Sequence, residues 1–402
     1  QSQRRFENLA DNASGGGSST SGPFSVESYN AGSSDGLRTS MGSRDSLAKN
    51  KVHLPTSVAS NRSSQFYEEL NNLKFNNLGL YGRDAELLLL QKAIDTFQGT
   101  SEPQQGAESG PPLNLVLVSG PSGTGKTVLV QEFAKKQKAF SVATGRCDQY
   151  LSTPYLAFSS AFAQLCQDIR SHPLYDTKIQ KTIVAAVGDD YPLLLDLIPN
   201  LGELIFEAKA SRADYDIAKS KEKFKFLLQR FLNAVCQPEY PILLCLDDIQ
   251  WIDTASVTIL EIILSDAGLA RSLLIVCTYR GDEVQQSYPI AKLWQRVNDR
   301  RQQSPTSIAV CNHSMEIVEA FIADLLNLDA AEVRELAETV HTRTDGNMFF
   351  VVQYLTALRD GGMLRYDIGT MKWMWDMSEI RLSTVVAANV LTVLMNKLSQ
   401  LP

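Results

Sequence analysis

The sequence has 402 residues, of which 44% are hydrophobic, so it can supply the cores of two or three ordinary domains. Its 45 acidic residues outnumber its 38 basic residues, and the formal net charge of -7 offers no general attraction for nucleic acid or an anionic membrane. No apolar stretch approaches the ~18 residues that a membrane span requires. We therefore expect neither a membrane protein nor a nucleic-acid partner.

The cysteines and histidines show no ligand pattern. Six cysteines include no CxxC pair, and Cys245 and Cys277 lie in apolar, strand-like runs where a free thiol acts as a small hydrophobic side chain. This usage predicts a reducing compartment, the cytoplasm. The four histidines are scattered along the chain, so no zinc site is expected.

Ser, Gly and Asn dominate the start of the chain. Residues 1–77 are predicted to be a disordered lead, because such a composition buries too little apolar surface to offset the entropy of ordering. A helical pattern then runs over Leu87–Phe97, and residues 98–112 form a Gly/Pro/Gln-rich linker.

A complete GxxxxGK[ST] loop follows the linker, between the apolar run Leu115–Val118 and a helical pattern. Such a loop lets successive backbone N–H groups converge on a phosphate, to which the next helix adds its positive dipole end. We expect Lys126 to reach the β- and γ-phosphates and the Thr127 hydroxyl to bind Mg²⁺. The candidate nucleotide-binding residues here are Gly120, Ser122, Gly123, Thr124, Gly125, Lys126, Thr127 and Val128.

Five short apolar runs alternate with helical stretches, which predicts an α/β fold with a parallel sheet between helices. The expected strands are Leu115–Ser119, Phe140–Thr144, Ile242–Leu246, Leu273–Thr278 and Ser307–Val310. A helical pattern separates the second strand from the third, so residues 151–236 are predicted to be a helical insertion. The whole nucleotide-binding core is expected to span residues 78–312.

Charged side chains follow two of these strands. Asp247 and Asp248 end the third run, and the first of them is expected to bind Mg²⁺ mainly through water, because this ion takes few carboxylates. Asp248 is expected to orient or deprotonate the attacking water. Arg280 ends the fourth strand, at the edge where parallel sheets bind ligands, and is a candidate sensor of the γ-phosphate.

The remaining sequence predicts a helical lid over residues 313–362 and a winged-helix-like segment over residues 363–402, truncated at its end. Asp329 and Glu332 have the spacing of a capping box. Met363–Trp375 predicts a hairpin that turns at Gly369, and Thr384–Leu398 a helix whose single basic residue, Lys397, does not favour DNA binding.

Several motifs occur in the order of a known family: Leu80–Leu87, the phosphate-binding loop, Gly145–Tyr150, Pro154–Tyr155, Leu246–Asp253, Thr278–Val284 and Gly346–Val351. Together they resemble the STAND branch of AAA+-related ATPases, in the form of an origin-recognition-complex-like AAA domain. More narrowly, residues 78–402 resemble the ATPase module of large hybrid signalling proteins that join Ser/Thr-kinase-like and histidine-kinase domains.

The resemblance implies a sheet order of 5-1-4-3-2, which places Arg280 between the phosphate-binding loop and the two aspartates. It also implies that Tyr81 and Arg83 lie against the adenine and ribose. Met348 stands where relatives carry a lid proline that touches the base, and Arg146 stands where they often carry lysine.

The favoured function is a regulatory switch that binds ATP with Mg²⁺ and hydrolyses it slowly, so that ATP closes the lid and ADP lets it reopen. Its expected partners are ATP, ADP and fused or associated kinase and sensor domains, with a homo-oligomer as a further possibility. Two alternatives stay open: an ATP-dependent DNA-binding initiator, and a nucleotide-binding scaffold that does not turn over.

Overall fold

The fold is taken from a computed structural model of the chain. The structure describes residues 71–75, 78–99, 113–150, 153–171, 178–205, 217–266, 268–281, 288–301 and 304–386. Most of the predicted lead, most of the linker and most of the predicted helix Thr384–Leu398 lie outside these ranges.

A five-stranded parallel sheet organises the core. Its strands are β1 (Leu115–Ser119), β2 (Ser141–Arg146), β3 (Ile242–Asp247), β4 (Leu273–Tyr279) and β5 (Thr306–Ala309). They lie in the order β2-β3-β4-β1-β5, and every neighbouring pair is parallel. The predicted fold class and strand order are confirmed. The second strand extends two residues beyond its predicted end, as far as Arg146, where it still pairs with Asp247 of β3.

Alternate side chains of β1 enter two different cores. Leu115 and Leu117 pack into one core, on the face that the helical insertion covers, whereas Val116 and Val118 pack into a second core on the opposite face. Because both faces are covered, each strand needs apolar residues at successive positions. This is why the strands appear in the sequence as unbroken apolar runs.

Helices cover both faces of the sheet. Between β2 and β3 lie α3 (Leu156–Ser171), α4 (Gln180–Val187), α5 (Leu201–Leu204) and α6 (Ile217–Val235), joined in part by a 3₁₀ segment, Gly188–Leu194. The other core helices are α1 (Asp84–Phe97), α2 (Lys126–Lys136), α7 (Thr254–Ser265) and α8 (Tyr288–Arg301). Helices α1 and α2 pack on the face opposite the insertion, through residues such as Ile94 and Phe133.

The chain after the sheet forms a third core of its own. It comprises α9 (Met315–Leu326), α10 (Ala330–Thr344), α11 (Met348–Asp360), the antiparallel hairpin β6 (Leu364–Asp367) with β7 (Lys372–Trp375), and α12 (Met377–Val386). The capping box of Asp329 and Glu332 is present at the start of α10. We call residues 315–360, which comprise α9, α10, α11 and the turns between them, the lid.

Two element boundaries differ from the sequence-based expectation. The last described helix begins at Met377 rather than at Thr384, because the Asp376 carboxylate accepts hydrogen bonds from the Ser378 backbone and hydroxyl and so caps it early. Residues 71–75, expected in the disordered lead, pack on the lid: Leu73 is buried, and Phe75 stacks on Phe321 with ring centroids 6.4 Å apart.

Within the part of the chain that the structure describes, no helix combines the length and the apolar character needed to cross a bilayer.

Leu244, a buried residue of β3, provides a test of this packing. Leu244→Ala should lower the free energy of unfolding by ~2–5 kcal/mol, because a buried leucine loses its transfer energy and leaves a cavity. Leu88→Ala, at a position on α1 that is 56% exposed, should change it by less than about 0.5 kcal/mol. Chemical denaturation of both variants provides the comparison, and similar losses at the two positions would contradict the assigned core.

Candidate functional site

The phosphate-binding loop connects β1 to α2 at the carboxyl edge of the sheet. Gly125 forms the N-cap of α2 in a left-handed conformation, so Lys126 and Thr127 open the helix. The first backbone N–H groups of a helix have no acceptor within it, and they attract anions. The loop therefore has the position and the helix start that phosphate binding requires.

Lys126 turns back into its own loop. Its side chain is buried, and Nζ donates hydrogen bonds to the carbonyl oxygens of Gly120 at 2.8 Å and of Pro121 at 2.7 Å. These bonds offset part of the cost of burying an ammonium group. The positive charge is thus already held within the loop.

The next three carbonyl groups of the loop also have partners. Asn347 Nδ2 of the lid donates to Ser122 O at 2.8 Å, the Phe349 N–H donates to Gly123 O at 3.1 Å, and Arg83 Nη2 donates to Thr124 O at 2.9 Å. In a planar trans peptide the following N–H points opposite to the carbonyl. The N–H groups of the residues that follow these three carbonyls therefore point away from the lid and from Arg83, as an anion-binding loop requires.

Asn347 and Phe349, at the start of α11, lie very close to one glycine of the phosphate-binding loop. Gly123 has a φ of +81°, and a Cβ built there would lie 2.5 Å from Asn347 Oδ1 and 2.8 Å from Phe349 Cβ. Any larger residue would therefore separate the loop from the lid. Asn347 is buried, and its Oδ1 has no hydrogen-bond partner.

Asp247 joins the loop to β4. Thr127 Oγ1 donates to the Asp247 carboxylate, with distances of 2.9 and 3.0 Å to its two oxygens, and the Thr278 hydroxyl donates to Oδ1. Because the Thr127 proton is used in this bond, the hydroxyl lone pairs remain for a cation. A hydroxyl and a carboxylate are oxygen ligands of the type that Mg²⁺ takes while keeping several waters. The residues present therefore fit a magnesium ion.

Asp248 is held apart from its neighbour by the backbone. Its φ of +56° is in the left-handed region, and its N–H donates to Thr278 Oγ1 at 3.1 Å. Its buried carboxylate accepts one hydrogen bond on each oxygen, from Arg146 Nη2 at 3.1 Å and from Gln250 Nε2 at 3.0 Å. Arg146 also lies 3.9 Å from the Asp247 carboxylate, so one arginine faces both aspartates, whereas Gln250 bonds only to Asp248.

Arg280 lies one residue beyond β4, the strand between β1 and β3. Its guanidinium carbon is 4.6 Å from the centre of the Trp251 ring, a cation–π contact, and its backbone N–H donates to Gln250 Oε1 at 3.2 Å. The structure therefore places Arg280 at the same sheet edge as the loop and the two aspartates.

Arg83 and Tyr81 attach the start of α1 to the loop and to the lid. Besides Thr124 O, the buried Arg83 guanidinium contacts Cys311 O at 2.7 Å and Glu86 Oε1 at 2.8 Å. Tyr81 donates to Asp324 at 2.7 Å, and burial together with this carboxylate raises the pKa of Tyr81 to about 12. Both residues therefore link segments that are far apart in the sequence.

Met348 and Val128 are two further predicted nucleotide-binding residues. Met348 is partly buried and packs against the lid core, whereas the Val128 side chain on α2 is 50% exposed. Neither side chain can donate a hydrogen bond to a loop carbonyl, whereas the Asn347 amide and the Phe349 N–H do so.

Two titratable groups beside the site are held neutral. Burial, with the nearby Arg83 charge, lowers the pKa of His313 to about 4. Burial, with the carboxylates of Asp253, Asp248 and Asp247, raises the pKa of the Cys147 thiol to about 12, so this cysteine is no nucleophile at neutral pH.

Two cavities lie at opposite edges of the sheet. One of about 240 Å³ is bordered by Thr127, Arg146 and Asp247. A larger one, of about 650 Å³, lies where the strands begin, beside Asn114 and Arg271, and contains none of the predicted site residues. The smaller cavity lies at the carboxyl ends of the strands, where parallel sheets bind ligands, and the predicted site residues Thr127 and Asp247 border it.

Sequence reasoning did not single out three of these side chains. Gln250, Asn347 and Thr278 each make contacts in the site, although all three lie inside motifs that it recognised. For Gln250 the available signal was its place two residues after the aspartate pair.

Comparison with known proteins gives a family match over part of the chain. Residues 79–276 match the family model described as AAA ATPase domain. The match includes β1 to β3 and the first four of the seven residues of β4, and it ends before Arg280 and the lid.

A curated relative and two solved structures are similar at low identity. The chain is 22% identical over 399 residues to "Hybrid signal transduction histidine kinase G" of Dictyostelium discoideum; the alignment covers 83% of this chain but only 11% of that protein. A Walker-type ATPase of Pyrococcus abyssi has a TM-score of 0.42 and 12% identity, over 80% of this chain and 76% of that one. Cdc6p from Pyrobaculum aerophilum has a TM-score of 0.40 and 11% identity, over 73% and 65% of the two chains.

The family match and the loop geometry lead to the same conclusion. A complete phosphate-binding loop lies between β1 and α2, and Thr127 bonds directly to the carboxylate that ends β3. Residues 79–276 are therefore an AAA ATPase-type nucleotide-binding module with a P-loop fold.

Proposed function

We propose that this chain binds ATP with Mg²⁺, hydrolyses it slowly, and uses the lid to report which nucleotide is bound. The observation that carries the proposal is the direct contact between lid and loop, in which Asn347 and the Phe349 N–H bond to Ser122 O and Gly123 O. A ligand that reshapes the loop must change these bonds. The lid is therefore coupled to the nucleotide by contact.

The phosphates would be held by the loop. Its N–H groups and Lys126 Nζ face the β- and γ-phosphates, with the ammonium moving from the loop carbonyls to the ligand. Thr127 and Asp247 would hold Mg²⁺, which neutralises phosphate charge when bound. We assign the adenine and ribose to the side where Tyr81, Arg83, Val128 and Met348 lie.

Hydrolysis requires a base near the γ-phosphate. Asp248 takes a proton from the attacking water while the water oxygen forms a bond to the γ-phosphorus. The bond between this phosphorus and the β–γ bridging oxygen breaks, and ADP leaves. Arg146 bonds to one oxygen of the same carboxylate, and its side chain is 69% exposed, so it can move as the substrate enters.

Arg280 is assigned as the sensor that distinguishes ATP from ADP. It follows the strand next to β1, and its guanidinium stacks on Trp251. An arginine that contacts only the γ-phosphate adds affinity for ATP alone, and only such a difference in affinity can shift a conformational equilibrium.

A role in signalling is suggested by the relative from Dictyostelium, whose name describes a hybrid signal transduction histidine kinase. This chain spans about a tenth of that protein. We place the present module in a larger STAND-type signalling protein of the cytoplasm, where fused kinase or sensor domains respond to the lid. The free cysteines agree with a reducing compartment.

Lys126→Ala tests nucleotide binding. The variant should lose measurable ATP binding in calorimetry with Mg-ATP, because each charge-assisted contact with a phosphate contributes about 1.5–3 kcal/mol. Lys135→Ala, on the exposed side of the same helix, is the matched control and should bind as the parent does. Equal affinity in parent and Lys126→Ala would disprove the assignment of the loop.

Asp248→Asn tests hydrolysis. The amide cannot accept the proton, so phosphate release should slow at least ~100-fold while the affinity for ATP stays within about threefold. Asp95→Asn, on α1, controls for the loss of a surface carboxylate. If the parent itself releases no phosphate, the chain is a nucleotide-binding scaffold; if Asp248→Asn is as fast as the parent, the base is another group.

Arg280→Ala tests the sensor. The preference for ATP over ADP should fall roughly tenfold, for a contact of ~1.4 kcal/mol, while the affinity for ADP hardly changes. Arg334→Ala, which removes an exposed charge from the lid, should leave both affinities unaltered. Titrating parent and variant with ATP and with ADP measures both affinities. Equal losses of affinity for ATP and ADP would show that Arg280 is a structural residue.

A further inference from the structure

Gln250 bonds to both of the groups that the proposed hydrolysis depends on. It lies in the 3₁₀ turn Ile249–Trp251 and is only 7% exposed. Its Nε2 donates to Asp248 Oδ1 at 3.0 Å, and its Oε1 accepts the Arg280 N–H at 3.2 Å. One buried amide thus connects the end of β3 to the end of β4.

The orientation of this amide is determined by its partners. A carboxylate only accepts hydrogen bonds and a backbone N–H only donates them. Exchanging the oxygen and nitrogen of Gln250 would place two acceptors together at Asp248 and two donors together at Arg280. Only the observed orientation satisfies both neighbours, and a buried polar atom without a partner is costly.

The local backbone brings Gln250 to this position. The left-handed conformation of Asp248 redirects the chain after β3, and the Trp251 N–H then bonds to Asp248 O at 3.1 Å to close the turn. The Asp248 N–H is bonded to Thr278 Oγ1 of β4. The turn is thus tied to β4 by its backbone as well as by the Gln250 side chain.

Gln250 and Arg146 contact different oxygens of Asp248 and differ in mobility. Arg146 bonds to Oδ2 through a side chain that is 69% exposed, so it adds charge but little constraint. Gln250 bonds to Oδ1 from a buried position. The direction of the carboxylate is therefore set by Gln250.

We propose that Gln250 is a positioning residue that couples the γ-phosphate sensor to the general base. A displacement of Arg280 towards a γ-phosphate moves its backbone N–H, and Gln250 transmits this movement to the Asp248 carboxylate. ATP bound at Arg280 thereby aligns the base, and ADP does not. The inference rests on the proposed function, in which Asp248 is the base and Arg280 the sensor.

Two substitutions of Gln250 separate its two bonds. Gln250→Glu keeps an acceptor for the Arg280 N–H but replaces the donor to Asp248 with a second carboxylate oxygen. Gln250→Leu removes both bonds at similar size. Both variants should lower kcat about tenfold or more. Gln250→Glu should leave the affinity for ATP nearly unchanged, whereas Gln250→Leu should also weaken ATP binding and so reduce the preference for ATP over ADP. Gln91→Leu, at an exposed glutamine on α1, is the matched control.

A double-mutant cycle tests the coupling. If Gln250 acts through Arg280, the pair Gln250→Leu with Arg280→Ala should lose no more ATP preference than Arg280→Ala alone. Additive losses, or a kcat in both Gln250 variants equal to that of the parent, would overturn the inference. Equal losses of ATP and ADP affinity with a lower melting temperature in both variants would show a structural role instead.

The Asp248→Asn variant separates this inference from the proposed function. Slow turnover in Asp248→Asn with parental turnover in both Gln250 variants disproves the positioning role alone. Parental turnover in Asp248→Asn disproves the assigned base, whatever the Gln250 variants do.

Discussion

The carbonyl groups of the phosphate-binding loop are the constraint on which the site depends. Five consecutive carbonyls, from Gly120 to Thr124, accept hydrogen bonds from Lys126, the lid and Arg83. The peptide plane then directs the N–H groups that follow Ser122, Gly123 and Thr124 away from the lid and Arg83. The loop therefore obtains its anion-binding shape from groups distributed along more than 220 residues, as the contact from Asn347 to Ser122 illustrates.

Parallel strand pairing brings the polar side chains at the ends of β3 and β4 to the same edge of the sheet as the loop. Tyr279 pairs with Ser119 and Cys277 pairs with Leu246, so β4 ends beside both the loop and the aspartates. Thr278 connects the two aspartates at this edge, because its hydroxyl donates to the Asp247 carboxylate and accepts from the Asp248 N–H.

The lid has its own apolar core, and both apolar packing and hydrogen bonds connect it to the nucleotide module. Arg83, Tyr81 and Asn347 supply polar links, each between segments distant in sequence. The junction is apolar as well as polar, because the Tyr81 ring packs edge-on against Phe321 of α9 with centroids 5.3 Å apart.

Features that depend on a local pattern of residues could be predicted without the structure. The spacing of its glycines and lysine predicts the loop, and unbroken apolar runs predict β1, β3 and β4 in a sheet covered on both faces. The capping box predicts the start of α10. The strand order came from the family resemblance. Three features became visible in the folded chain alone: Gln250 joins Asp248 to Arg280, Asn347 and Arg83 bond to loop carbonyls, and residues 71–75 pack on the lid. The reason is physical: these contacts link side chains to groups brought close by strand pairing and packing, and no spacing along the chain specifies which distant group will be in reach.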